Sequence, residues 1–216
     1  DAPDYTTILG ATKVMGNTGS GINYGLISAI TAEESAILVI DSVDQSDRRI
    51  VIEPRTNFTI GRIELPLIND VSRVGLMVTN VSRKNDFGAT VTGIDWNLGL
   101  YDNRLYTNGQ IVRSDAKNIT GNAIRFRLGY VDPSWWSAQL SYGYFDDKFD
   151  VNDLGYLKRN NTNWAGGKVD FRKQEPWGNF INNDLEFKYK QEWRGDGLVL
   201  ERELEIEQSN LFNNYW

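Results

Sequence analysis

Four glutamates at every second position, Glu201, Glu203, Glu205 and Glu207, place a ladder of carboxylates on one side of an extended strand. Such a ladder attracts cations if it lines a pore. The structural alternative is that Lys188, Lys190 and Glu186 on the preceding segment turn much of it into cross-strand ion pairs. Arg125 and Arg127 share the same spacing and either oppose Asp95 across a lumen or sit beside a nearer carboxylate. Asp146, Asp147, Asp150, Asn152 and Asp153 carry the oxygen ligands that Ca²⁺ prefers. They miss the EF-hand pattern, because Leu154 takes a ligand position and no Glu closes a twelve-residue loop; an Asx-rich loop folded back on the barrel fits better. Glycoside hydrolysis needs two carboxylates about 5–10 Å apart. Asp95 with Glu201 or Glu203 is the imaginable pair, and nothing in the sequence brings them together.

Missing residue types narrow the chemistry further. The 216 residues contain no His and no Cys, so imidazole-based triads, thiolate metal sites and disulfides are excluded. We expect no catalytic, metal or cofactor residues, and a non-enzymatic protein. The balance of 23 basic against 29 acidic residues, net −6, argues against a nucleic-acid partner. The run Gly16–Gly21 lacks the Gly-Lys-Ser/Thr ending of a phosphate loop and reads as a tight turn. No stretch of 18 apolar residues predicts a membrane helix, and Asp1–Asp4 carries no signal-peptide pattern. The chain is therefore expected to be either mature or a piece of something longer.

The elements that must hold these groups alternate with period two. Ile124, Phe126, Leu128 and Tyr130 oppose Arg125, Arg127 and Gly129. Trp136, Ala138, Leu140, Tyr142 and Tyr144 oppose Ser137, Gln139, Ser141 and Gly143. Leu198, Leu200, Leu204 and Ile206 oppose the glutamate ladder. This pattern predicts half-buried strands, near 5–15, 21–31, 35–41, 48–53, 57–68, 72–81, 88–101, 103–114, 121–132, 134–146, 165–174, 179–193 and 197–209, and no helix. Turn-forming runs at 16–21, 69–71, 102–103, 132–133 and 175–178 fall at one end of such a meander. The segments 82–87, 115–120 and a long loop at about 147–164 fall at the other, the arrangement of outer-membrane barrels.

Small and neutral residues dominate the polar face in 93–99 and 137–143, and Trp and Tyr end the apolar face (Trp96, Tyr101, Tyr130, Trp136, Tyr142, Tyr144, Tyr189, Trp193). Both features favour a barrel with lipid outside, aromatic girdles and a polar lumen. The rival is a soluble β-sandwich that binds carbohydrate through Trp135, Trp136 and Trp164.

The run Phe149-Asp150-Val151-Asn152-Asp153-Leu154-Gly155-Tyr156-Leu157-Lys158-Arg159-Asn160 resembles the signature of a bacterial outer-membrane β-barrel family of unknown function. Gly10–Val14, Glu53–Arg62 and Phe212–Trp216 resemble that family as well, so the resemblance spans essentially the whole chain. Its members carry an N-terminal module similar to a family 9 carbohydrate-binding domain ahead of a long barrel. The resemblance implies that this chain is an internal piece of the barrel rather than one ending at Trp216, and it supplies no catalytic residues.

The expectation is thus one all-β unit over 1–216, an antiparallel meander forming a transmembrane outer-membrane β-barrel or a large part of one. It would act as a pore or a surface-anchoring component linked to glycan or nutrient handling. Outer-membrane lipid is its expected partner, with other outer-membrane proteins or glycans as candidates. Asp95, Arg125, Arg127, Lys188, Lys190, Glu201, Glu203, Glu205 and Glu207 are the candidate lumen-lining residues.

Overall fold

The computed structural model describes residues 5–39, 47–173 and 175–214. They form thirteen strands: β1 (Ile8–Asn17), β2 (Asn23–Thr31), β3 (Glu34–Val39), β4 (Asp47–Glu53), β5 (Thr56–Pro66), β6 (Arg73–Arg83), β7 (Ala89–Leu100), β8 (Leu105–Ala116), β9 (Ile119–Val131), β10 (Trp136–Phe145), β11 (Thr162–Lys173), β12 (Phe180–Arg194) and β13 (Val199–Phe212). Every pairing is antiparallel. Eleven strands make one sheet in the order β1-β2-β5-β6-β7-β8-β9-β10-β11-β12-β13, and β3 pairs with β4 as a separate hairpin. The all-β antiparallel meander read from the alternation is present. The sheet is open, however: β1 and β13 are its free edges, so closure into a barrel is not a property of this structure.

The turn ends fall as expected. Segments 18–22, 67–72, 101–104, 132–135 and 175–179 lie at one end; 32–33, 54–55, 84–88, 117–118, 146–161 and 195–198 lie at the other. Two loops differ from the sequence expectation. The loop placed at 115–120 shrinks to the two residues Lys117 and Asn118, both with positive φ (51° and 60°), the form that matches strand twist in a hairpin. The loop placed at 147–164 ends earlier, because β11 begins at Thr162. The strand expected at 35–41 runs partly into 40–46, and Tyr215 and Trp216 also lie outside the described residues.

Register assigns each side chain to a face. Ile94, Ile111, Ile124, Tyr144, Asn163 and Trp193 fall in successive cross-strand pairs on one face. Asp95, Gln110, Arg125, Gly143, Trp164, Glu192 and Glu201 do so on the other. The first face is apolar and uncovered. Leu140, Leu204 and Ile206 are 63%, 72% and 61% exposed, and every extensive strand–strand contact is between hydrogen-bonded neighbours. A second sheet packed on this face, as the sandwich reading requires, is not found among the described residues. One row expected on it also breaks: the register shifts where Glu192 pairs with Glu201 and Trp193 with Val199, leaving Leu200 between them, so Leu198 and Leu200 do not continue the line of Leu204 and Ile206.

The small buried core lies on the opposite face, at the loop end. Val81, Ala89, Ala116 and Ala123 are buried there, and Phe149 from the 146–161 loop is only 4% exposed. Gly121 has no side chain because the Lys148–Phe149 backbone lies where its Cβ would be. Truncation by Phe149→Ala is expected to weaken loop docking by about 3 kcal/mol. Limited proteolysis should then cut within 146–161 at least tenfold faster, and an unchanged cleavage rate would refute this account of the anchor.

Candidate functional site

All nine residues expected to line a lumen lie on one face of the sheet. Asp95, Arg125 and Glu201 fall in one registered row, Arg127, Lys190 and Glu203 in the next, and Lys188 with Glu205 in the one after that. Glu207 pairs in register with Glu186. The polar face they build is charged from β5 to β13.

Most of that charge is spent in ion pairs between neighbouring strands. Lys188 Nζ reaches Glu205 at 2.7 Å and Glu203 at 3.5 Å, and Lys190 reaches Glu201 at 3.4 Å. Lys168, which the sequence reading did not single out, bridges Glu186 at 2.7 Å and Asp170 at 3.0 Å. Of the two readings of the glutamate ladder, cross-strand pairing is therefore what the geometry supports; among the described residues Glu207 alone of the four has no salt bridge.

A second network sits on β5–β7. Arg62 holds Asp95 with a two-pronged fork, 2.8 Å to each carboxylate oxygen. It also reaches Glu64 at 3.3 Å, and Glu64 meets Arg73 at 3.7 Å. The expected opposition of Asp95 to Arg125 and Arg127 is thus corrected. Gln110 stands between Asp95 and Arg125 in the row, and Arg62 takes the carboxylate. Arg62 was missed because its apolar neighbours Ile60 and Ile63 disguise the alternation. Asp95 also stands far from the ladder. β7 and β13 are six strand steps apart, about 29 Å along the sheet. The imagined hydrolytic pair of Asp95 with Glu201 or Glu203 does not assemble in this arrangement.

The 146–161 loop covers the loop end of the same face. Val151, Leu154 and Gly155 face Met77, Thr79, Val91 and Val112 across a cavity of ≈ 150 Å³. The Asp150 N–H donates to Ser114 Oγ at 3.0 Å, and Asp153 pairs with Arg83. Asp146 Oδ1 accepts the Lys148 N–H at 3.0 Å, and Asp150 Oδ1 accepts the Asn152 N–H at 3.0 Å. These Asx turns and the Arg83 pair account for the acidic cluster as loop structure, in line with the folded-back loop expected from its composition.

The three tryptophans proposed for a carbohydrate surface do not share one. Trp135 stacks on Phe171 at 5.6 Å and Trp136 lies against Tyr130 at 5.2 Å, at the short-turn end of the apolar face. Trp164 falls on the polar face.

A protein-family profile described as "Domain of unknown function (DUF5916)" matches residues 1–215. No curated protein and no solved structure matches the chain.

Two outcomes test the electrostatics. A double-mutant cycle on Lys188 and Glu205 should give a small coupling that shrinks as salt rises, since both side chains are more than a third exposed. A large coupling that does not change with salt would contradict this. The Lys148 N–H holds the Asp146 carboxyl below the usual carboxylate range. The loop anchor is then complete above the unfolded carboxylate pKa and weakens as pH falls through that range and below it. Proteolysis of the loop by an acid-active protease should rise over that window in the native protein but not in Asp146→Asn, and equal pH profiles would refute the assignment.

Proposed function

We propose that this chain, which belongs to the DUF5916 family of domains of unknown function, forms the wall of a transmembrane β-barrel in the bacterial outer membrane. It would serve as a pore or surface-anchoring component, without enzymatic activity. One observation carries the reading. Among the described residues nothing is packed on the apolar face of the eleven paired strands, and its charged side chains are Arg113, Asp115 and Lys173 toward the strand ends and Arg202 one register row from Leu204. Leaving such a face in water exposes far more contiguous apolar surface than a soluble monomer tolerates.

The band comes near the apolar belt of about 25 Å on outer-membrane barrels. From Trp136 to Tyr144 on β10 is eight residue steps, about 26 Å along the strand, or about 20 Å across a membrane at a tilt of 35–45°. Leu128, Leu140, Phe187 and Leu204 occupy its middle. At the short-turn end, rings follow one another across β9–β13: Tyr130 on Trp136, Trp135 on Phe171 and Phe180 on Phe212. Such a row suits the headgroup level, where amphipathic rings are favoured.

Strand direction sets what closure would require. In an eleven-stranded antiparallel order the first and last strands run the same way. Joining β1 directly to β13 would make a parallel seam. An all-antiparallel barrel therefore needs an odd number of further strands, in keeping with the even strand counts of bacterial outer-membrane barrels. The resemblance to a family of longer barrels supports the same arrangement, and the module similar to a carbohydrate-binding domain in that family is what links the proposal to glycan or nutrient handling. The 146–161 loop, lying on the polar side, would narrow the lumen.

The chain has no cysteine, so spin labels can be placed singly. Labels at Leu140→Cys and Leu204→Cys in the membrane-reconstituted full-length protein should collide with oxygen and be shielded from a water-soluble nickel chelate. A label at Ser141→Cys should show the reverse. Nickel access at all three sites, or release of the protein into buffer without detergent, would overturn the membrane reading.

A further inference from the structure

On the polar face of β5–β13, every lysine and arginine but two has a carboxylate within 4.0 Å, through the pairs described above together with Arg172–Asp184 and Arg194–Asp196. The exceptions are Arg125 and Arg127. Among the described residues neither guanidinium has an ion pair or a side-chain hydrogen bond, and both are exposed. Their surroundings explain why. Across the strand pairs Arg125 meets Gln110 and Gly143, and Arg127 meets Asn108 and Ser141. All four are neutral. A carboxylate-free strip thus runs down β8–β10 between the Arg62–Asp95 network and the Lys168 network.

Two rings flank this strip on its polar side. The Trp164 indole crosses the space above Gly143, beside Arg125, where any Cβ would collide with it. The Tyr106 ring lies in the same manner over Gly129, two residues beyond Arg127, and its hydroxyl donates to Gln139 Oε1 at 3.0 Å. Arg125, Arg127, Gln110, Ser141 and Trp164 line one depression of ≈ 490 Å³. Arg62 and Asp95 also border it, and they neutralise each other. Its net charge is accordingly about two positive, in a chain of net charge −6.

We propose that this depression binds a small organic anion: a carboxylate or phosphate group on the Arg125–Arg127 pair, with an apolar ring face against Trp164. Guanidinium forks fit planar or tetrahedral oxyanions with two parallel hydrogen bonds. Alternate residues on one strand sit about 6.6 Å apart, so one anionic group is within reach of both side chains. The amides of Gln110 and Asn108 supply neutral donors and acceptors for the remainder of a sugar-sized solute. The inference concerns the polar face and holds whichever medium covers the other. A water-soluble protein that binds these anions would remove the membrane reading and leave this one standing.

Calorimetry on the full-length protein in detergent at low ionic strength tests it with three probes: glucuronate, glucose 6-phosphate and uncharged glucose. At least one anion should bind, roughly tenfold or more tighter than glucose, with binding weakening as salt rises. The preferred anion tells carboxylate from phosphate. Arg125→Gln/Arg127→Gln should lose at least tenfold in anion affinity, whereas Arg172→Gln, a paired cation on the same face, should stay within twofold. Glucose binding as tightly as both anions, no binding of any probe, or undiminished binding by the double variant would each overturn the proposal. The probe series on the unaltered protein needs no substitution, so a folding defect in a variant cannot shield it.

Discussion

A one-residue slip in the pairing of any long strand would exchange its two faces, carrying Arg125 and Arg127 to the apolar side and Phe126 and Leu128 to the polar side. The registered backbone ladder is therefore the constraint on which the rest depends. It holds across ten consecutive strand pairings, from β1–β2 to β12–β13, with shifts recorded only in the first and last of these. Everything assigned to a face, from the apolar band to the ion-pair networks, inherits its position from this ladder. The hydrophobic burial that organises a soluble domain has little part within the sheet itself, where the buried apolar set is a few small side chains and Phe149.

The polar face solves a different problem. Twenty or so charges crowded on one surface repel unless opposite signs alternate between strands, and most of the cations here have a carboxylate diagonal or adjacent to them. Exposed pairs of this kind contribute little individually. Their collective effect is to neutralise the face largely through diagonal contacts, since the register itself sets Lys168 opposite Lys188, Glu186 opposite Glu207 and Glu192 opposite Glu201. The Lys188–Glu205 and Lys168–Glu186 pairs act in this way at the β11–β13 side, and the Arg62–Asp95 fork does so at β5–β7. The strip between them is left positive.

The loop between β10 and β11 ties the two ends of this argument together. Its Asx turns make it rigid locally, while Phe149 and the Arg83–Asp153 pair attach it to strands far away in sequence. A loop fixed to the polar side can shape what approaches Arg125 and Arg127. A loop extended into solvent could not.

Alternation alone was enough to mark thirteen strands, their sense, the end at which each turn falls and the shared face of Asp95, Arg125, Arg127, Lys188, Lys190 and the glutamate ladder, because period-two geometry is local and leaves its imprint in neighbouring residue types. The Asx-rich loop was legible for the same reason. Partner choice was not. That Arg62 rather than Arg125 takes Asp95, that Leu200 falls in a bulge and that Lys117–Asn118 closes a two-residue turn depend on which residues stand opposite across a strand pair, and cross-strand register is a relation between distant segments. The unpaired state of Arg125 and Arg127 belongs to the same class. It emerges only when Gln110, Asn108, Gly143 and Ser141 are brought alongside, because charge neutralisation between strands is decided by distances of a few ångström that no single stretch of chain encodes.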